Sequence, residues 1–216
     1  MNKYLKSISS KFLIATFIAF PSWVSATESF QLESKIIFNT ACARCHEGEC
    51  SGRMSFHLGK SAADKHIQRY AGEISAQTTQ QLFELLRYMK EECSFYPFEH
   101  ALVNDQKWSS DTLAKFHSVS QKAYFIPLGQ LDSGSYQLNF DGFNDTTNSC
   151  IEIINQQFDF IDKEKVNDEN ERLVLQFQVD ESSGHYLRIR ANAPITVNQL
   201  ELFFQQKTQR LWTESP

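Results

Sequence analysis

The chain has little of what would set it apart from ordinary globular chemistry. Glycine (8) and proline (5) are sparse among 216 residues, which excludes a collagen-like repeat. With 22% charged and 41% hydrophobic residues, wholesale disorder is excluded too. Basic residues number 21 against 26 acidic ones, a net charge of −5, and no basic run interrupts that balance. Binding to nucleic acid through phosphate neutralisation is therefore not expected. Beyond residue 26 no apolar run approaches the roughly 20 residues that span a bilayer, so a multi-span membrane protein is excluded. There is no internal repeat, long low-complexity tract, hydrolase triad, phosphate loop or dinucleotide fingerprint. His100, His117 and His185 stand isolated in the sequence, and no catalytic residue is assigned.

What is present begins with an address. Lys3, Lys6 and Lys11 precede an apolar run at residues 12–20 (FLIATFIAF), then Pro21, then the small-x-small exit Val24-Ser25-Ala26. This is the three-part pattern of a secretory signal peptide over residues 1–26. Its apolar run is too short for a stable anchor, and no cysteine follows the exit as a lipidation site. Cleavage would remove three lysines and move the net charge from −5 to −8. The expected compartment is periplasmic or secreted and permits disulfides, with no stable membrane anchor left.

The remainder divides by periodicity. Residues 33–93 read as helical. Residues 33–45 suit a short helix, and 61–70 opens with Ser61 and Asp64 at capping-box spacing. In 78–93, Leu82, Leu85, Leu86, Met89 and Cys93 share one helical face, while Gln80, Gln81, Glu84, Lys90 and Glu91 lie mostly off it. Pro97 ends that helix, and Trp108-Ser109-Ser110-Asp111 reads as a turn. From Ala123 the period changes to two. Tyr136, Leu138 and Phe140, then Leu173 to Val179, then Leu187 and Ile189, then Ile195 to Phe204 alternate as strands between Gly-, Asn-, Ser- and Asp-rich turns. The expected fold class is α+β in two domains, a small all-α domain followed by an antiparallel, jelly-roll-like β-sandwich. The boundaries are 27–98 for the helical domain, 99–119 for a linker, 120–206 for the sandwich and 207–216 for a tail.

The chemistry concentrates in Cys42-Ala43-Arg44-Cys45-His46. C-x-x-C-H is the attachment signature of a c-type haem. Two thiols three positions apart reach the two vinyl groups of one porphyrin, and the adjacent imidazole then lies under the iron. A zinc site would want a second ligand pair, and His57 and His66 form no recognised one. A thioredoxin-like site would want a βαβ frame, which is absent. A plain disulfide is the remaining rival.

Residues 36–46 (IIFNTACARCH) resemble the first helix and haem site of a monohaem, class I-like cytochrome c. Residues 82–90 (LFELLRYMK) resemble that family's last helix, with Tyr88 at the aromatic position beside the haem. The resemblance implies one covalent haem c held by Cys42 and Cys45, with His46 as proximal iron ligand, carrying single electrons to redox protein partners. The family's distal methionine before the last helix is missing, since residues 72–79 (GEISAQTT) hold neither Met nor His. The candidates for the sixth ligand are Met54, then His57, then His66, while Met89 reads as core. An open sixth position would instead suit a haem-based ligand binder, a sensor or a small peroxidase.

Of the other cysteines, Cys50 and Cys93 are candidates for a disulfide tying the haem loop to the last helix, and Cys150 is left as a buried thiol. Residues 120–206 resemble, in outline, carbohydrate-binding and galactose-binding-like sandwiches. That implies a polysaccharide or a protein as a docking partner. Tyr124, Trp108, Phe143, Asp141, Asn144 and Arg188 are the side chains available to a sugar, although aromatics in a sandwich more often pack its core. Residues 162–172 read as a solvated loop.

Overall fold

The alternation that starts at Ala123 becomes two stacked antiparallel sheets. The computed structural model describes residues 30–47, 60–98, 106–143, 149–166 and 172–205. Residues 1–26, read as a signal peptide, fall outside them. So do Cys50, Met54, His57, His100 and Asn144.

The helical part opens with α1 (Leu32–Ile37), runs without a break through a π-helical segment (Phe38–Cys42), and ends in α2 (Ala43–His46). A 3-10 turn (Lys60–Ala62) leads to α3 (Asp64–Ala71), followed by α4 (Ala76–Glu92). The Ser75 hydroxyl caps α4 by accepting from the Thr78 amide at 3.0 Å. Cys93 ends it in the left-handed region (φ 54°), ahead of Pro97. The capping box expected at Ser61 does not form. Ser61 is taken up by the 3-10 turn, and Ala63 precedes α3 with no side-chain cap.

The strands are β1 (Lys107–Ser109), β2 (His117–Ser118), β3 (Ala123–Leu131), β4 (Gly134–Asp141), β5 (Ser149–Asn155), β6 (Phe160–Val166), β7 (Arg172–Val179), β8 (Ser183–Arg190) and β9 (Gln199–Gln205). A short helix, α5 (Ser110–Ala114), follows β1. One sheet has the order β1-β9-β4-β7 and the other β2-β3-β8-β5-β6. Their facing sides interdigitate in one apolar cluster that includes Trp108, Tyr124, Ile126, Leu138, Phe140, Ile151, Ile153, Phe177, Leu187, Ile189 and Leu200. That is the sandwich arrangement in which each strand alternates inward and outward.

The described part of 99–119, expected as a linker, belongs to the sandwich. Trp108 is buried in β1 opposite Leu200, and β2 pairs with β3. Residues 162–166, expected in a loop, continue β6, the strand at one edge of the five-stranded sheet. Ile195 and Val197 are buried as core residues but from an irregular stretch ahead of β9, which starts only at Gln199.

The five-stranded sheet has a second buried face. Phe125 of β3, Ile154 of β5 and Tyr186 of β8 point away from the sandwich interior into an apolar cluster with Ile36, Ile37, Phe38, Leu82, Leu85, Met89 and Phe95. Phe95 sits at its centre, with ring centroids 4.5 Å from Phe158, 5.4 Å from Phe125 and 5.5 Å from Tyr186. Helices and sandwich thus share a core, giving a three-layer arrangement of helices on sheet on sheet.

Candidate functional site

The π-helical segment adds a residue to the turn just before the motif. Such bulges are rare in helices and gather at functional sites. Thr40 backs it, its hydroxyl donating to the Ile36 carbonyl at 2.7 Å. Downstream, Ala43 is fully buried against the core, while Cys42, Cys45 and His46 line a hollow on the other side. The hollow is mostly apolar, about 180 Å³, and completed by Ala41, His66, Ile67, Tyr70, Leu82 and Leu86. The motif helix, α3 and α4 each contribute a wall.

The hollow gathers both thiols and two imidazoles. The rings of His46 and His66 lie 6.0 Å apart between centroids, inclined at 67°. Tyr70, one turn beyond His66 on α3, packs against the His66 ring at 4.8 Å. Burial, with the Cys45 thiol beside it, pushes Cys42 up to about 12, so it is a neutral thiol rather than the thiolate of a redox dithiol. Among the described residues no three His, Cys, Asp or Glu side chains gather around a point where a bare metal ion would sit. The donor set suits a haem: two thiols for the vinyls, an imidazole beside them, and an apolar wall for the porphyrin face.

Tyr88, which the resemblance places beside the haem, packs edge-on against Tyr96 at 5.0 Å, and Tyr70 is the aromatic lining the hollow. Met89 is buried in the core, in line with its position on the apolar face of α4. Cys93 is disulfide-bonded. Cys42, Cys45 and Cys150 are free thiols. Cys150 is half-buried, its Sγ 3.7 Å from Glu152 Oε1.

A buried ion cluster lies behind the motif, and the sequence pattern hid it. Arg188 is 1% exposed. Its Nη1 and Nη2 donate to Glu47 Oε2 and Oε1 at 3.0 and 3.1 Å, its Nε donates to Glu152 Oε2 at 2.7 Å, and its Nη1 also reaches the Asn39 carbonyl at 3.2 Å. Arg190 and Lys163 complete the shell of Glu152 at 2.8 and 3.1 Å. Burial alone would push the Glu152 carboxyl up, but Arg188, then Arg190, hold it at about 2. Glu47 directly follows His46, so this cluster bolts the motif helix to β8 and β5. Lys90 of α4 adds a further tie, its Nζ donating to the His46 carbonyl at 3.1 Å. The alternation in residues 185–190 (HYLRIR) reads as one wet face, and only the covering helices make it dry.

Most side chains considered for a sugar are committed elsewhere. Trp108, Phe143 and Tyr124 are buried in the sandwich core, and Arg188 is in the ion cluster. Asp141 remains exposed beside Arg172, at the rim of a hollow of about 380 Å³, polar and apolar in similar measure, that Asn139, Val174, Gln199 and Glu201 also line. It lies on the outer face of the four-stranded sheet. There Gln137 accepts from Gln205 and Gln176 and donates to Asn139, an amide lattice with Phe203 exposed next to it.

No protein-family model matches the chain, and no curated protein matches it. Among solved structures it is similar to one assigned as an alpha-L-fucosidase, from Bacteroides thetaiotaomicron, at 16% identity and a TM-score of 0.31. That match covers 63% of this chain and 28% of the other. The chain thus spans just over a quarter of that protein's length, and a likeness at this level carries nothing over. Among the described residues no helix is long and apolar enough to cross a membrane.

Proposed function

We propose that the chain is an exported c-type cytochrome that carries single electrons through one haem, attached covalently through Cys42 and Cys45, with His46 as proximal ligand. The observation that carries this reading is the convergence of both thiols and His46 of a C-x-x-C-H motif on one apolar hollow. When bound, the haem supplies a one-electron ferrous–ferric couple. The residues around it hold and shield it. Ile67, Leu82 and Leu86 exclude water from one side. Lys90 and the Glu47–Arg188 fork fix the backbone that carries His46, an outer-shell role of the kind that orients metal ligands. In this reading the helical part, 27–98, is the haem unit, with Cys50 as the partner of disulfide-bonded Cys93.

The sandwich docks the carrier to its redox protein partner or to a polysaccharide. For the latter, the amide lattice and exposed Phe203 on the outer sheet offer hydrogen bonds to hydroxyls and a flat apolar surface. The test is to express the precursor in a host that matures c-type cytochromes. The mature protein is expected in the periplasm or medium, with pigment that stays on the chain through acidified organic solvent, and Cys42→Ala/Cys45→Ala is expected to lose it. Colourless mature protein would end the proposal. Retention on insoluble polysaccharides tests the docking clause, and release by Phe203→Ala is the expected result.

A further inference from the structure

Resting on the haem reading above, we infer that His66, together with His46, would hold the haem iron. Three observations lead there. First, His66 and His46 line the same hollow from different elements, α3 and the end of α2. Second, their separation fits. A metal–imidazole bond is about 2 Å, so two imidazoles facing one metal ion from opposite sides have ring centres roughly 6 Å apart. The His46 and His66 centroids are 6.0 Å apart.

Third, His66 is braced. Ile67 and Ala71, four residues apart, are buried and seat α3 on the core. His66 and Tyr70 form the adjacent row toward the hollow, their rings 4.8 Å apart, and the Arg69 guanidinium lies 5.8 Å over the Tyr70 ring. Both rings are otherwise exposed to solvent, so the His66 imidazole is accessible to a group entering the hollow. Met54 and His57, ahead of His66 in the sequence-based order, lie outside the described residues. Met89, the one methionine among the described residues, is in the core.

Two imidazole ligands would give the haem a lower potential than a methionine–histidine pair. They favour electron transfer over gas binding or peroxide chemistry. The test is absorption, electron paramagnetic resonance and near-infrared circular dichroism of the mature holoprotein. The expected ferric state is low-spin with two nitrogen ligands and no thioether charge-transfer band, and the ferrous state does not take up carbon monoxide. His66→Ala is expected to keep its covalent pigment, lose the low-spin signature and bind carbon monoxide, with added imidazole restoring the original spectrum. His66→Met keeps a ligand in place and is expected to raise the potential, which covers the case in which the alanine variant fails to fold. His57→Ala and Met54→Leu are expected to leave the spectra unchanged. A His66→Ala spectrum identical to that of the parent, a thioether band abolished by Met54→Leu, or a five-coordinate parent would overturn this inference while leaving haem attachment intact. Pigment that extracts into acidified solvent would overturn the haem reading and this inference together.

Discussion

Replacing Arg188 by methionine probes the joint between the motif helix and the sheet. The substitution keeps most of the side chain's volume and removes the charge. It takes away two hydrogen bonds to Glu47, one to Glu152 and one to the Asn39 carbonyl, all at a residue 1% exposed. Glu152 keeps Arg190 and Lys163, while Glu47, which is 7% exposed, loses both of its bonds to Arg188. Removing one partner of a buried ion pair typically costs about 3–5 kcal/mol, because the remaining charge stays desolvated. With a urea dependence of about 2–3 kcal/mol per molar for a chain of this size, the unfolding midpoint should drop by roughly 1–2 M. Equilibrium urea unfolding followed by near-ultraviolet circular dichroism reads this directly. Adding Glu47→Gln should recover part of the loss, and a double-mutant cycle should return a coupling of about 2 kcal/mol or more. Midpoints within 0.3 M of one another (about the error of the measurement) for parent and single variant would refute the claim that this cluster holds the layers together.

The same cluster sets an acid limit. Glu152 has a folded-state value of about 2 against an ordinary 4.5. A carboxyl whose value is lowered by folding contributes stability that is complete above its unfolded value and fades as pH falls through the folded one. Up to about 3 kcal/mol is therefore expected to disappear between about pH 4.5 and pH 2. Glu152→Gln should flatten that segment of a stability-against-pH curve, and an unchanged slope would refute the assignment. Phe95→Ala empties the centre of the core shared by helices and sheet, where the ring meets Phe125, Phe158 and Tyr186. A loss of about 3–5 kcal/mol is expected. Hydrogen exchange should show α4 and β8 losing protection together, whereas loss confined to the helices would mean two independent units.

The elements were legible where burial is one-sided. The helix α4 shows in its apolar spacing from Leu82 to Met89, and β4 and β7 show in strict alternation, because each has a wet face and a dry one. The C-x-x-C-H motif was legible because its spacing is the chemistry. The reading failed where a second layer covers what looks like a wet face. Arg188 and Arg190 alternate with Leu187 and Ile189 as a solvent face would, but helices lie over that side. Lys90 follows the apolar face of α4 and reads as exposed, yet it is 6% exposed and reaches the His46 carbonyl. Trp108 sits among turn-forming residues and reads as loop, yet it closes the sandwich core. His66 stood only third among the candidate ligands for a related reason: its nearness to His46 depends on how α3 crosses the motif helix, which no local pattern encodes.

The failures at Arg188, Arg190 and Lys90 share one physical origin. A helical layer of about 60 residues is marginal as a core of its own. Here the deficit is met from outside the helices: Phe125, Ile154, Phe158 and Tyr186 fill the space that further helices would otherwise occupy. The five-stranded sheet must then tolerate two dry faces, and its outer strand positions become a mixture of aromatics and paired charges rather than a solvated row. The charges fall where the motif helix ends, because Glu47 there needs a partner and β8 can present one. The sandwich is thus the floor on which the hollow is built. A change at Arg188 of β8 reaches Glu47, the neighbour of His46, through one hydrogen-bonded step, and a change at Glu152 of β5 reaches it through two, without touching the hollow itself.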